Sequence, residues 1–291
     1  MGRIATISTL RSLMIAATLM MAPALSAQSA LSPVYGLQTG LGSVDIWDES
    51  DRYVYLRGAA LLSHGLDTHR LLDLQAEIST WDYADDDHLD SEEIFLQGTY
   101  SYTPTAGFRV PTYAVALRYL EEFGAEDELD ASTVTLILSL AYRIDDRTNI
   151  RGGFKLGDRD SDSEIDSEIF GYFVNLDLTY DEQLLFYTTI GLDEGAENIR
   201  SYCSGAYRGD SDNGSGSRDA SGSRQHFANT QNGNGDDPWS GSCDSTYLTI
   251  GANYALNANH TFDVSASFQD YDTPDGSFDG EIFAIDYFFR F

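Results

Sequence analysis

Three observations predict an all-β chain, and more narrowly a transmembrane, up-and-down, antiparallel β-barrel of about 12 strands. Short segments in which apolar and polar residues alternate recur along the sequence. The connections between them switch between tight turns and long acidic loops. The last stretch, Gly280 to Phe291, reads G-E-I-F-A-I-D-Y-F-F-R-F. Strand side chains alternate faces, so Phe283, Ile285, Tyr287, Phe289 and Phe291 share one wholly apolar face. Lipid is a natural cover for such a face in a closed barrel.

The chain opens with a basic start (Arg3, Arg11), an apolar run from Ser12 to Leu25, and Leu25-Ser26-Ala27. This pattern predicts a secretory signal over 1–27, cleaved after Ala27, with the barrel over 28–291. The apolar run is too short for a spanning helix, and nothing later in the chain approaches one. The formal charge of −30 argues against nucleic acid as a partner.

The strands follow in order. Tyr35 to Leu41, Val54 to Leu62, Leu72 to Ile78, Ile94 to Tyr102, Tyr113 to Tyr119 and Val134 to Tyr142 place apolar residues on alternate positions. Ile150 to Leu156 is a weaker seventh, and Phe170 to Tyr180 is the eighth. Leu184 to Leu192 is apolar on both faces, so its phase stays open. Leu248 to Tyr254, Phe262 to Phe268 and the terminal strand complete the set. An even number puts both termini on one side, with short periplasmic turns there and long acidic extracellular loops opposite. The acidic loops include Asp82 to Glu92, Glu121 to Asp130, Asp158 to Glu168 and the very long 194–245. Tyr102, Tyr113, Tyr142, Tyr180, Tyr254, Phe262, Phe289 and Phe291 gather at the short-turn ends, as an aromatic girdle at a membrane interface would. A secreted soluble β-protein would bury the apolar face instead. Period two alone does not separate the two readings; the girdle, the loop asymmetry and the final Phe favour the barrel.

The signal, the amphipathic strands and the strand ending in Phe291 resemble Gram-negative outer-membrane β-barrel proteins of porin-like type. The likeness is architectural and points to no single family. It implies an outer-membrane location, with lipid and lipopolysaccharide as surroundings. It also implies that Tyr287, Phe289 and Phe291 serve as a signal to the barrel-assembly machinery.

With apolar positions outward, the opposite face lines the lumen. It holds Arg57, Arg118, Arg143, Arg151, Lys155 and Arg290, and also Asp73, Glu77, Glu93, Asp177, Asp263 and Asp286. A strongly selective pore usually carries a one-sided charge, so this balance fits either a mildly selective pore or a lumen tied shut by ion pairs. Gly36, Gly40, Ala114, Ala116, Gly153 and Gly171 on the same face suggest room for small hydrophilic solutes.

Cys203 and Cys243 are the only cysteines and predict a disulfide across the base of a loop rich in Gly, Ser, Asp and Asn. His88, after Asp85-Asp86-Asp87, is the one candidate for a hydrolase at the rim. Adjacent residues cannot all converge on one water, so a solvated loop is the better reading and no enzyme activity is expected. Asp158, Asp160 and Asp162 alternate as in a calcium loop, but the place of the turn glycine holds Ser163 and that of the final Glu ligand holds Ile169. They are weak divalent-cation candidates, and no cofactor is expected. A passive channel leads; a non-conducting structural or surface-interaction barrel is the rival. Oligomeric state is open.

Overall fold

A computed structural model describes residues 34–46, 49–84, 90–105, 109–124, 130–161, 167–195, 244–273 and 276–291. Among them are 12 strands: β1 (Val34–Ile46), β2 (Glu49–Gly65), β3 (Arg70–Tyr83), β4 (Ser91–Tyr102), β5 (Pro111–Gly124), β6 (Ala131–Arg143), β7 (Thr148–Ser161), β8 (Ser167–Thr179), β9 (Leu184–Glu194), β10 (Asp244–Asn257), β11 (His260–Thr273) and β12 (Gly276–Arg290). Each pairs antiparallel with its sequence neighbours, and β1 pairs with β12 to close the barrel. Closure leaves no sheet edge, so every strand has a partner on both sides.

The terminal strand forms the seam. Leu37 faces Phe289 and Leu41 faces Ile285 on one side. Phe262 faces Tyr287 and Phe268 faces Glu281 on the other. The last residue is tied in by its backbone: Phe291 N–H donates to the Tyr35 carbonyl at 3.1 Å. The rings of Tyr35 and Phe291 stack at 6.2 Å, and Phe289 lies 5.8 Å from Phe291.

The exterior is apolar. Leu41, Val54, Leu74, Leu96, Leu117, Val134, Leu140, Val174, Ile250, Val264 and Ile285 all stand exposed. Tyr113, Tyr180, Tyr254 and Phe291 are exposed toward the short-turn ends, while Tyr119, Tyr172, Phe268 and Phe283 are exposed further along their strands. Exposed leucines scattered singly need no explanation, but a continuous apolar band around a closed sheet does, and a bilayer core supplies it.

Four short turns use the same device. A side-chain oxygen at the turn's start accepts from backbone N–H groups two or three residues on, the Asx geometry that favours Asp and Asn there. Asp67 accepts from His69 N at 2.7 Å. Asp145 accepts from Arg147 N at 2.9 Å and Thr148 N at 2.7 Å. Asp181 accepts from Gln183 N and Leu184 N, and Asn257 from Asn259 N and His260 N. These turns fix where each hairpin reverses, and hence which face every later residue takes.

Strands β5 and β7 run past the apolar band, to Gly124 and Ser161. Residues read from the sequence as loop, notably Glu121, Glu122 and Arg159, therefore belong to strands. Backbone pairing continues after hydrophobicity stops, because a strand outside lipid still needs its ladder bonds.

Candidate functional site in the barrel lumen

The face opposite the apolar exterior encloses the lumen, and the pairing register sets which side chains meet there. On β9 the ambiguity resolves: Phe186, Ile190 and Leu192 are exposed, whereas Tyr187 turns inward and donates to Asp263 Oδ1 at 2.7 Å.

Among the described residues, three ion pairs lie in this interior. Arg57 Nη1 of β2 lies 3.4 Å from Glu77 of β3. Lys155 Nζ of β7 lies 2.8 Å from Asp193 of β9. Arg159 Nη2 of β7 lies 3.2 Å from Glu122 of β5, with side chains 2% and 0% exposed. The last two each reach over a strand, β8 and β6 respectively. Glu122, Arg159 and Asp193 were not anticipated. A signal was present: Arg118 to Glu122 and Lys155 to Arg159 keep the same parity, so extending each strand by four residues would have found two of them.

The other charges take mostly neutral partners. Asp286 accepts from Tyr55 Oη at 2.7 Å, and Gln38 donates to that hydroxyl at 2.6 Å. Asp263 also receives Asn253 at 3.4 Å, and Asp263 and Asp286 face each other directly in register. Asp73 accepts from Ser63 at 2.5 Å, Asp177 from Asn149 at 3.2 Å, and Glu93 from both Ser79 and Trp81. Guanidiniums lie over rings: Arg57 over Tyr55, Arg118 over Phe95, Arg151 over Phe173 and Arg290 over Phe288, all between 5.5 and 5.9 Å. Arg143 donates to the carbonyls of Asp145 and Asp146 at the turn mouth.

The small inward residues do not simply leave space. A Cβ at Gly40 would meet Tyr55 and Asp286; at Gly36, the ring of Phe288; at Gly153, the ring of Phe173; at Gly251, the ring of Tyr187. Glycine lets each aromatic lie flat against the opposite backbone. The interior is thus narrower and more aromatic than a face of glycine and alanine suggests.

Burial varies along the axis. Toward the long loops, Tyr53, Tyr83, Glu93, Glu122, Thr133, Thr135, Arg159, Ile169 and Tyr271 are buried. Toward the short turns, Ser63, Arg143, Arg151 and Arg290 are exposed. Exposure is therefore greater along the turn-side half of the lumen, and the side chains of the other half pack more closely against one another.

The remaining candidates fall elsewhere. Asp158 and Asp160 are exposed on the outward face of β7, opposite in direction to Lys155 and Arg159, and no metal-holding group of three or more ligands occurs among the described residues. Asp162, His88, Cys203 and Cys243 lie outside the described residues.

A closed twelve-stranded barrel with an apolar exterior, a polar and aromatic interior, and its C-terminal strand at the seam belongs to one class: transmembrane β-barrels of the bacterial outer-membrane type. No protein-family model matches the chain, and no curated protein matches it. Among solved structures it is similar to an outer-membrane channel from Pseudomonas putida F1, at 10% identity and a TM-score of 0.57, over 91% of this chain and 97% of that one. It is also similar to the CymD monoaromatic hydrocarbon channel (10% identity, TM-score 0.45, 89% of this chain and 88% of that one). A third is the KdgM porin solved with disordered oligogalacturonate (8% identity, TM-score 0.43, 88% and 99%). The likeness to the Pseudomonas channel is one of fold.

Proposed function

We propose that the protein is a passive channel for small hydrophilic solutes in the outer membrane of a Gram-negative bacterium, its barrel set in lipid and lipopolysaccharide. One observation carries this reading: the turn-side half of the lumen is lined by water-exposed polar and charged side chains, among them Arg143, Arg151 and Arg290. A wetted, charged wall is what a hydrophilic solute needs in order to pass. The constriction then lies in the packed half, around Glu93, Glu122 and Arg159. Reconstitution into planar bilayers tests the proposal: stepwise ionic conductance is expected.

The rival is a non-conducting barrel, and the ion pairs Arg57–Glu77, Lys155–Asp193 and Arg159–Glu122 favour it. Removing one partner distinguishes the two. A plugged barrel carries no current in the parent and starts to leak when Asp193 is changed to Asn, whereas an open pore conducts in the parent and changes its conductance or selectivity. A hydrolase at the rim is set aside as the weaker reading of His88; unchanged turnover in His88→Ala, or none in the parent, removes it.

The same reading assigns residues 1–27 to a cleaved export signal and Cys203–Cys243 to a disulfide clamping the loop 194–245. It takes Tyr287, Phe289 and Phe291 as the segment handed to the barrel-assembly machinery. Intact-mass measurement of the exported protein, with and without reductant and alkylation, checks the first two. Replacing Phe291 and measuring assembled barrel in the membrane checks the third.

A further inference from the structure

Of the strand faces turned to the lumen, that of β7 stands apart. From Arg151 onward it reads Arg151, Gly153, Lys155, Gly157, Arg159. Three cations stand four residues apart with only glycine between them, and Arg147 in the preceding turn continues the spacing. Four residues of antiparallel strand span roughly 13 Å, a gap that two long basic side chains can share. This face carries no carboxylate, in a chain with 17 basic and 47 acidic residues. Arg118 of β5 and Arg143 of β6 widen the same wall.

The carboxylates at the two upper rungs come from strands that do not adjoin β7. Asp193 reaches from β9 over Gly171 of β8 to Lys155, at 2.8 Å. A Cβ at Gly171 would collide with Asp193 and stand 3.0 Å from Lys155 Cε, so glycine there is what lets the pair close. Glu122 reaches from β5 past β6 to Arg159. Each carboxylate sits where an anion held by that rung would sit. Arg151, the lowest strand rung, lies over the Phe173 ring at 5.5 Å and is exposed.

We infer that the inward face of β7 is a track for small oxyanions, of carboxylate, phosphate or sulfate type, whose upper two rungs are held at rest by the chain's own Glu122 and Asp193. The inference rests on the channel reading above. A solute entering from the turn side meets Arg151 first, then exchanges with Asp193 at Lys155 and with Glu122 at Arg159. The internal carboxylates keep the buried cations paired when no solute is present, which spares the cost of a bare charge in a low-dielectric interior.

The test is single-channel current of the full chain in KCl, with citrate or an uncharged triol added to either side. Citrate is expected to interrupt the current in a voltage-dependent manner at concentrations where the triol has no effect. Arg151→Gln is expected to raise the half-blocking concentration of citrate by roughly three- to tenfold, as loss of one charge contact near water would. The paired change E122Q/D193N, checked for barrel closure by heat-dependent gel migration, is expected to lower it. Should that variant fail to fold, Arg151→Gln decides alone, since its side chain is already exposed. Citrate no more effective than the triol, or a half-blocking concentration unmoved by Arg151→Gln, overturns the track while leaving the channel intact. Absence of any current overturns the channel reading, and the track with it.

Discussion

Arg159 of β7 passes over β6 to meet Glu122 of β5 at 3.2 Å, with both side chains closed off from water. Two charges so placed are worth little as a pair but a great deal when separated, because the survivor stays buried. Glu122→Met and Arg159→Met should each destabilise the barrel by about 3–5 kcal/mol. The double replacement by Met at both sites should recover most of that loss. Urea unfolding in lipid vesicles, arranged as a double-mutant cycle, measures it; additive single losses would contradict the pairing.

The aromatic-on-glycine contacts make a second expectation. Gly40 lies beneath Tyr55 and beside Asp286, and a Cβ there meets both. Gly40→Val should cost at least about 1–3 kcal/mol through overpacking. Gly58 faces outward with open space around its Cα, so Gly58→Ala should change stability by no more than about 0.5 kcal/mol. The contrast between two glycines on adjacent strands separates a seated ring from general sensitivity of the sheet.

A third prediction concerns the exterior. Leu117 is 57% exposed, among the most exposed of the large apolar residues. In a bilayer, Leu117→Arg should cost about 2–4 kcal/mol near the midplane and less toward the rims. On a soluble protein the same change would be close to neutral, within about 0.5 kcal/mol. Unfolding in vesicles of a short series along β5, at Tyr113, Val115, Leu117 and Tyr119, should trace a maximum in the middle.

The turn at Asp145 has a definite pH signature. The backbone N–H of Arg147, helped by the Thr148 contacts, holds its carboxyl below the ordinary carboxylate range. A depressed folded value means the turn's contribution is present above the unfolded pKa of about 3.9 and fades as pH falls below it through the folded value. The protection factors of the Arg147 and Thr148 amides, with the intrinsic pH dependence of exchange divided out, should therefore hold through neutral pH and fall only in acid. Asp145→Asn, which keeps the acceptor without the charge, should remove the pH dependence and keep the turn.

Much of the barrel was legible because lipid imposes so strict an alternation. Strand number, seam and outward face follow from the periods of residues such as Leu72 to Ile78 and Phe283 to Phe291, since a one-residue slip would put charges into the bilayer. The lumen was less legible. On β9, Leu184, Leu185 and Tyr187 give no clear phase, and only pairing with β8 and β10 decides it. Glu122 and Arg159 lie toward the long-loop ends of β5 and β7 and Asp193 one residue past Leu192 on β9, where hydrophobicity no longer marks the strand although its hydrogen bonds continue. That Tyr55 sits over Gly40, or Tyr187 over Gly251, depends on register between strands, which no single strand's sequence contains.

Planar-bilayer recording from the purified, refolded full chain bears most directly on what the barrel does. Discrete conductance steps are expected, with a size that changes when Asp193 is replaced by Asn at the packed half of the lumen. A barrel that is fully folded by gel migration, yet carries no current at any voltage, would contradict the channel.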